Sequence, residues 1–173
     1  MTAQDHQSRA LPVLARVWLV FGLVAGAGVS LLAVPAVAAF LNGDLARIVA
    51  RMTADLLTLL GTPTSVDGAR IVSGGFVGEI IAACTPIYPA ILLTAAVLAY
   101  PAPVRAKLWG LALGLPALFL INEVRIVTLI AIGRTFPQHF DVAHYLVWQA
   151  LIIFAAVALW LVWMGRVNRH EAV

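Results

Sequence analysis

Charged residues and cysteines are scarce in this sequence. Of its 173 residues only 11% are charged, whereas 62% are hydrophobic. A soluble domain carries about twice that charged fraction, so the composition excludes a large aqueous domain and indicates an integral membrane protein. The single cysteine, Cys84, excludes an internal disulfide and leaves packing, an intermolecular bridge or chemistry as its roles.

Signatures of nucleotide and nucleic-acid binding are missing as well. The sequence has no phosphate-binding loop and no dinucleotide fingerprint. Its pI of 9.6 reflects basic residues beside apolar runs rather than a basic binding surface. We therefore expect the lipid bilayer as a partner, with no nucleic acid and no cofactor.

Long apolar runs dominate the remainder. The first covers residues 17–41, which is long enough to cross the roughly 30 Å hydrocarbon layer of a bilayer. Three more are predicted at 82–101, 108–132 and 145–164, the second of which reaches spanning length only with its flanking residues. We predict an all-α polytopic transmembrane helix bundle of about four spans, in a single membrane-embedded domain over residues 1–173.

The first run has two interpretations. Ala36-Val37-Ala38 fits the small-residue pattern of a signal-peptide cleavage site. The apolar run before it is longer than the core of an ordinary signal peptide, however, so we interpret it as a retained membrane anchor.

Basic residues flank alternate ends of the predicted spans. Six of the eleven do so: Arg9, Arg16, Arg105, Lys107, Arg166 and Arg169, opposed there only by Asp5 and Glu171. The positive-inside rule then predicts that both termini and the 101–107 turn are cytoplasmic. Cys84 and the segment 42–81 face outward.

The outer segment 42–81 has room for structure outside the membrane. Asn42-Gly43-Asp44 is a helix-start signal. An apolar stripe follows at helical spacing: Leu45, Ile48, Val49, Met52, Leu56, Leu59 and Leu60. This pattern predicts an extracytoplasmic amphipathic helix lying in the interface, ended by Gly61 and Pro63. A β-like stretch at 69–72 predicts a turn or short hairpin leading to Cys84.

Cys84 precedes a predicted helix start. Thr85 is a capping residue type, and Pro86 suits a first helical position, where no backbone N–H is needed. The positive end of such a helix would favour a thiolate over a thiol. The alternative is a buried free cysteine that packs as a small hydrophobe.

The third span contains the polar stretch Asn122-Glu123-Val124-Arg125. Placing an ionisable side chain within a span costs free energy, so such residues indicate a functional site. Glu123 and Arg125 are two residues apart, so they face different directions and each needs a partner elsewhere. Alternatively, Arg125 snorkels at a helix end. It lies about 26 Å along the helix from Leu108, near the predicted depth of Cys84.

Two histidines lie before or at the outer mouth of the last span. His144 is at the mouth itself, and His139 precedes it by five residues in the loop. Either is a candidate general acid–base, because histidine titrates near neutrality. Cys84, Glu79 and His144 are residue types that bind zinc, but no ligand spacing specifies a site, so we expect no metal.

Three features of the sequence resemble the exosortase/archaeosortase family. They are Cys84 at the start of a span, the stretch Asn122-Glu123-Val124-Arg125-Ile126 late in the next span, and His144 at the mouth of the last span. The resemblance covers residues 74–164. Its members are multi-spanning cysteine transpeptidases that process proteins carrying a C-terminal motif, a hydrophobic helix and a basic tail. The stretch 140–149 is most similar to the exosortase H branch, which is associated with IPTL-CTERM rather than PEP-CTERM substrates.

This resemblance implies a cysteine-type transpeptidase or protease of the bacterial inner membrane, with its active site facing the periplasm. Cys84 would be the nucleophile, Arg125 the residue that stabilises an oxyanion or orients the substrate, and His144 the acid–base. Glu79, Thr85, Asn122 and Glu123 would support them. Many members have Cys-Ser-Gly where this chain has Cys84-Thr85-Pro86, and four spans imply a minimal version. The rival hypothesis is a small non-enzymatic transporter or assembly subunit that uses Glu123 and Arg125.

Overall fold

The computed structural model describes the backbone of residues 3–171 and the side chains of residues 13–169. Arg9, Asp5 and Glu171, which entered the orientation argument, have side chains outside that description. The helices are α1 (Ala3–Leu32), α2 (Pro35–Phe40), α3 (Ala46–Leu59), α4 (Ile87–Ala99), α5 (Val104–Thr135) and α6 (Trp148–Glu171). π-Helical turns at Leu41–Leu45 and Val142–Val147 and 3₁₀ turns at Ala82–Cys84 and Pro137–His139 complete the helical structure.

Three stretches of the described chain are helical, long and apolar enough to cross a membrane: Val13–Leu32, Val104–Thr135 and Pro137–Arg169. They surround the short helix α4, which packs against α1, α5 and α6. The predicted all-α membrane helix bundle is therefore confirmed. Because α4 has 13 residues, it rises only about 20 Å, less than the hydrocarbon thickness.

The bounds of the first predicted span were wrong. Helix α1 ends at Leu32, a turn occupies Ala33 and Val34, and α2 starts at Pro35. Proline at a first helical position lacks the N–H that would continue the preceding helix, so the chain breaks there and changes direction. The apolar run 17–41 thus belongs to two helices.

The bounds of the other spans also differ from those predicted. The region 82–101 is helical only from Ile87, because Ala82–Cys84 forms a separate 3₁₀ turn, and it ends at Ala99 before the extended Tyr100. Both α5 and α6 extend beyond the apolar runs that predicted them. An apolar run predicts which residues contact lipid. It does not predict where the helix ends, because a helix can continue beyond the apolar residues until its backbone hydrogen bonding is interrupted.

The amphipathic helix predicted in the outer segment exists as α3, and it packs on the protein through a face that the sequence analysis did not identify. Small residues and leucine face the protein: Ala46, Val49, Ala50, Thr53, Ala54 and Leu57. Much of the predicted apolar stripe is instead exposed, namely Ile48, Met52, Leu56 and Leu59. Small side chains let α3 approach α5 closely. The predicted helix-start Asn42-Gly43-Asp44 lies within the π-helical turn that joins α2 to α3.

A three-stranded antiparallel sheet replaces the predicted turn or short hairpin. Its order is β1 (Thr64–Asp67), β2 (Arg70–Ser73) and β3 (Phe76–Glu79). Two-residue loops join the strands, and Gly68, Gly74 and Gly75 all have positive φ, as tight hairpins require. Ile71 and Ser73 of β2 are buried, which gives the sheet a face packed on the rest of the protein.

The core has an outer and an inner part. The outer cluster joins α3, the sheet and α5 through residues that include Val49, Ile71 and Ile126. The inner cluster joins α4, α5 and α6 through Leu93, Val97, Leu118, Ile152 and Ala156. The cleft described below adjoins the outer cluster, because residues that include Ile71, Ile80 and Ile126 belong to both.

Gly110 lets α5 and α6 pack closely. A Cβ added there would lie 2.5 Å from Nε1 of Trp163, and that indole donates to the Ala106 carbonyl at 2.9 Å. We expect Gly110→Ala to destabilise the protein by about 1–3 kcal/mol, because the indole must move and lose its acceptor. Thermal unfolding in detergent measures this.

Gly22→Ala in α1 is the matched control, since nothing lies within 4 Å of its Cβ position. Alanine is the better helix former, so this variant should be as stable as the wild type or slightly more so. Equal unfolding temperatures for Gly110→Ala and Gly22→Ala would contradict the packing argument.

Candidate active site

Cys84 is the last residue of the 3₁₀ turn that precedes α4. Its backbone N–H donates to the Ile81 carbonyl at 2.8 Å, and its Sγ lies 3.9 Å from the carbonyl oxygen of Glu79. The predicted cap was wrong: the Thr85 hydroxyl donates to Ala82 at 2.7 Å and so closes the 3₁₀ turn. Pro86 directly precedes the first helical residue, Ile87.

Asn122 connects α5 to the cysteine. Its side chain is fully buried and donates from Nδ2 to the Cys84 carbonyl at 2.9 Å. Leaving that carbonyl without a partner in an apolar environment would be costly, so the bond positions the turn relative to α5. Asn42 contributes similarly from the other side, because its Oδ1 accepts from the Ala82 N–H at 3.0 Å.

Glu123 and Arg125 are both buried, and each has separate surroundings. Oε2 of Glu123 accepts from the Thr53 hydroxyl of α3 at 2.8 Å. Arg125 instead lines the cleft described next, together with Cys84 and His144. The expectation that these two residues do not pair with each other agrees with this arrangement.

One cleft brings the three candidate residues together. It has a volume of about 350 Å³ and is lined by Cys84, Arg125 and His144, with β3 along one side and Ile126, Leu129 and Ile130 of α5 along another. The size falls in the range of small-ligand sites. Three chain segments far apart in sequence thus contribute a thiol, a guanidinium and an imidazole to one space.

His144 lies in the π-helical turn Val142–Val147, a type of turn that is frequent at functional sites. Its ring lies 5.6 Å from the ring of Phe140, which in turn lies 5.4 Å from Phe76 of β3. His139 is exposed in the 3₁₀ turn, contacts Phe136 and does not line the cleft. The geometry therefore separates the two histidines that the sequence left as alternatives.

Glu79 contributes its backbone to the cleft more than its carboxylate. The exposed carboxylate lies 3.7 Å from Arg70 on β2. Within residues 13–169 no three His, Cys, Asp or Glu side chains come together as a metal site would need. The zinc combination of Cys84, Glu79 and His144 is thus absent from the described structure.

The sheet was the part of the site that the sequence interpretation missed. Phe76, Val77 and Gly78 line the cleft, yet they carry no catalytic residue type. Their signal was the Gly74-Gly75 pair between two short alternating stretches, which is typical of a two-residue hairpin.

The bond from Thr53 to Glu123 anchors α3 on α5. We expect Thr53→Val, a near-isosteric change, to cost about 1–3 kcal/mol because the buried carboxylate oxygen loses its donor. Helix α3 should then be cut faster by trypsin at its exposed Arg47 and Arg51. Limited proteolysis in detergent measures this.

Thr58→Val is the control on the same helix, since its hydroxyl donates only to Ala54 one turn earlier. Its loss should change stability by less than about 0.5 kcal/mol. If both variants were cut at the wild-type rate, the Thr53–Glu123 bond would not be what anchors α3.

Comparison with known proteins identifies one family. The model of the transmembrane exosortase family matches residues 10–163, which include α4, α5 and the three residues of the cleft. Neither the curated proteins nor the solved structures give a match. Since the family model covers nearly the whole chain, this membrane protein belongs to the transmembrane exosortase family.

Proposed function

We propose that the protein is a membrane-embedded cysteine peptidase or transpeptidase. It would cleave a C-terminal sorting signal of exported proteins, of the IPTL-CTERM type, at the periplasmic face of the bacterial inner membrane. The observation that carries this proposal is the convergence of Cys84, Arg125 and His144 on one cleft. Thiol, imidazole and cation are the groups that acyl transfer by a cysteine requires.

The reaction proceeds through a thioester. His144 accepts the thiol proton as Sγ of Cys84 attacks the scissile carbonyl carbon, forming a tetrahedral intermediate whose oxyanion Arg125 stabilises. The intermediate collapses by breaking the C–N bond, and His144 delivers the proton to the leaving amine. Water or another nucleophile then attacks the thioester and releases Cys84.

The surroundings of Cys84 support its role as nucleophile. It is partly exposed and lines the cleft together with Arg125, rather than being sealed in the core. Asn122 acts as a positioning residue, because it holds the Cys84 backbone without reaching into the cleft. This is the environment of a reactive cysteine rather than of a packing one.

A substrate with its own membrane helix suits this shallow site. When the substrate helix lies beside the bundle, its motif is confined near the outer end of α4, so its effective concentration is high without a deep pocket. The basic tail of such a substrate would remain on the cytoplasmic side under the positive-inside rule.

The rival transporter or assembly function has less support. Glu123 does not line the cleft, and one of its oxygens is bonded to Thr53 of α3. A carboxylate engaged in attaching one helix to another is poorly placed to bind a transported ion.

Replacing Cys84 tests the reaction. We expect Cys84→Ala to abolish shortening of a co-expressed reporter that carries an IPTL-type motif, a hydrophobic helix and a basic tail. Immunoblotting of the reporter measures the size shift. Processing that persists in Cys84→Ala would refute a cysteine mechanism.

The two histidines provide a matched comparison. His144→Ala should slow reporter processing by about 10²–10⁴-fold, the usual contribution of a general acid–base. His139→Ala should process at close to the wild-type rate, because that side chain is exposed outside the cleft. The reverse order of effects would assign the proton transfer to His139.

The orientation can be measured with the native thiol. A membrane-impermeant maleimide added to intact spheroplasts should label Cys84, since the cleft would open on the periplasmic side. A Cys84→Ala/Arg105→Cys variant should be labelled only after the membrane is permeabilised. Labelling of position 105 in intact spheroplasts would reverse the proposed topology.

A further inference from the structure

Strand β3 has one edge without a partner strand. The described sheet has the order β1-β2-β3, so β3 pairs with β2 on one side only. All four of its residues line the cleft, as do Ile80 and Ile81 directly after them. The opposite edge strand, β1, packs beside α3 and contributes nothing to the cleft.

The register shows which backbone groups face the open edge. Ser73 and Phe76 flank a two-residue loop and are opposite each other, so they form a hydrogen-bonded pair. Gly78 and Ile71 form the next such pair, and the Ile80 N–H continues the series by donating to Ala69 at 2.9 Å. By alternation, the N–H and C=O groups of Val77 and Glu79 point away from β2.

Two contacts confirm the direction of that edge. The Glu79 carbonyl oxygen lies 3.9 Å from Sγ of Cys84, and the Ile81 carbonyl accepts from the Cys84 N–H at 2.8 Å. Both carbonyls belong to the alternating set that faces away from β2. The free edge of β3 is therefore directed at the candidate nucleophile.

We propose that the substrate segment bearing the scissile bond binds as a fourth strand along the Val77–Glu79 edge of β3. This inference rests on the proposed peptidase function and adds the mode of recognition. An extended peptide would pair its backbone with Val77 and with the Glu79 N–H, which is how exposed sheet edges commonly bind peptides. The Glu79 carbonyl is the group that contacts Sγ of Cys84. Its chain continuing past Glu79 brings a carbonyl carbon to Sγ of Cys84 within about two residues.

The same placement determines which side chains are selected. Residues of an added strand alternate between the two faces of the sheet. One face of this sheet is the buried one, and beside it the cleft is lined by Ile126, Leu129 and Ile130. Every second residue of the bound segment should therefore be apolar, whereas those beside the exposed Val77 and Glu79 are free to vary.

Val77→Pro tests the backbone pairing. Proline removes an N–H that faces the open edge and leaves the bonds to β2 intact, a position where strands tolerate proline. We expect processing of the IPTL-type reporter to slow by roughly tenfold or more, because a bound carbonyl loses its donor. Val77→Ala keeps the N–H and shortens the same side chain, so it should slow processing clearly less than Val77→Pro, and the difference between the two variants measures the backbone bond.

Membrane insertion and maleimide labelling of Cys84 in Val77→Pro should equal those of the wild type, which separates lost binding from lost folding. If the variant proves unfolded, the proposal is decided by cross-linking. In a Cys84→Ala/Val77→Cys background, single cysteines placed along the motif of a cysteine-free reporter should form disulfides at alternate positions only.

The outcomes distinguish this inference from the proposed function. Alternate cross-links without any processing by the wild type would overturn the peptidase and keep the strand pairing. Processing that requires Cys84 but proceeds unchanged in Val77→Pro, or cross-links at consecutive positions, would overturn the strand pairing and keep the peptidase.

Discussion

Polar side chains in the middle of an apolar helix are tolerated only where protein, rather than lipid, surrounds them. In α5 this constraint concerns Asn122, Glu123 and Arg125, all nearly fully buried. Protein surrounds them because the outer segment folds back onto α5: Thr53 of α3 donates to Glu123, and Asn122 itself donates to the Cys84 carbonyl. The segment 42–81 thus provides the protein surroundings that the polar residues of α5 need. Because this segment packs back onto α5, the cleft forms between them.

The same requirement explains how irregular backbone is accommodated around Cys84. Helix α4 is too short to cross a bilayer, and the 3₁₀ turn before it is irregular backbone within a membrane helix bundle, where backbone groups need protein partners. Asn42 and Asn122 provide them from two sides. A helix long enough to span the bilayer would form its backbone hydrogen bonds internally. Cys84 would then lie within that helix rather than at the end of a turn.

The sequence predicted the features that depend on overall composition and on ionisable residues within apolar runs. Apolar runs predicted the bundle, and the cost of charge in lipid singled out Glu123 and Arg125. Boundaries were less predictable, because Pro35 divided one run and the 3₁₀ turn shortened another. The apolar stripe of α3 was recognised in the sequence, but the face that packs on the protein was not. In a membrane protein such residues can face lipid while Ala46, Ala50 and Ala54 face protein, a choice that hydrophobicity alone does not reveal.

The choice between His144 and His139 and the role of the sheet both depended on contacts distant in sequence. Phe76 illustrates why. Its ring occupies the space over Gly133 of α5, where even a Cβ would clash, and it also contacts Phe140, the neighbour of His144. Nothing in the local sequence of the hairpin indicates that it will meet two later segments. A glycine in a long helix gave no sign that an aromatic ring would lie against it.

Helix α3 joins an exposed apolar face to the polar stretch of α5. It has three faces: one packed on the protein through Thr53 and small residues, one carrying Arg47, Arg51 and Asp55, and one exposing Ile48, Met52 and Leu56. An exposed apolar face beside a charged one is typical of a helix that lies in the membrane interface. Because Thr53 of α3 is also hydrogen-bonded to Glu123, two residues before Arg125, this helix is held next to the cleft. In the proposed reaction, a substrate leaving its own membrane helix would therefore meet Cys84 beside α3.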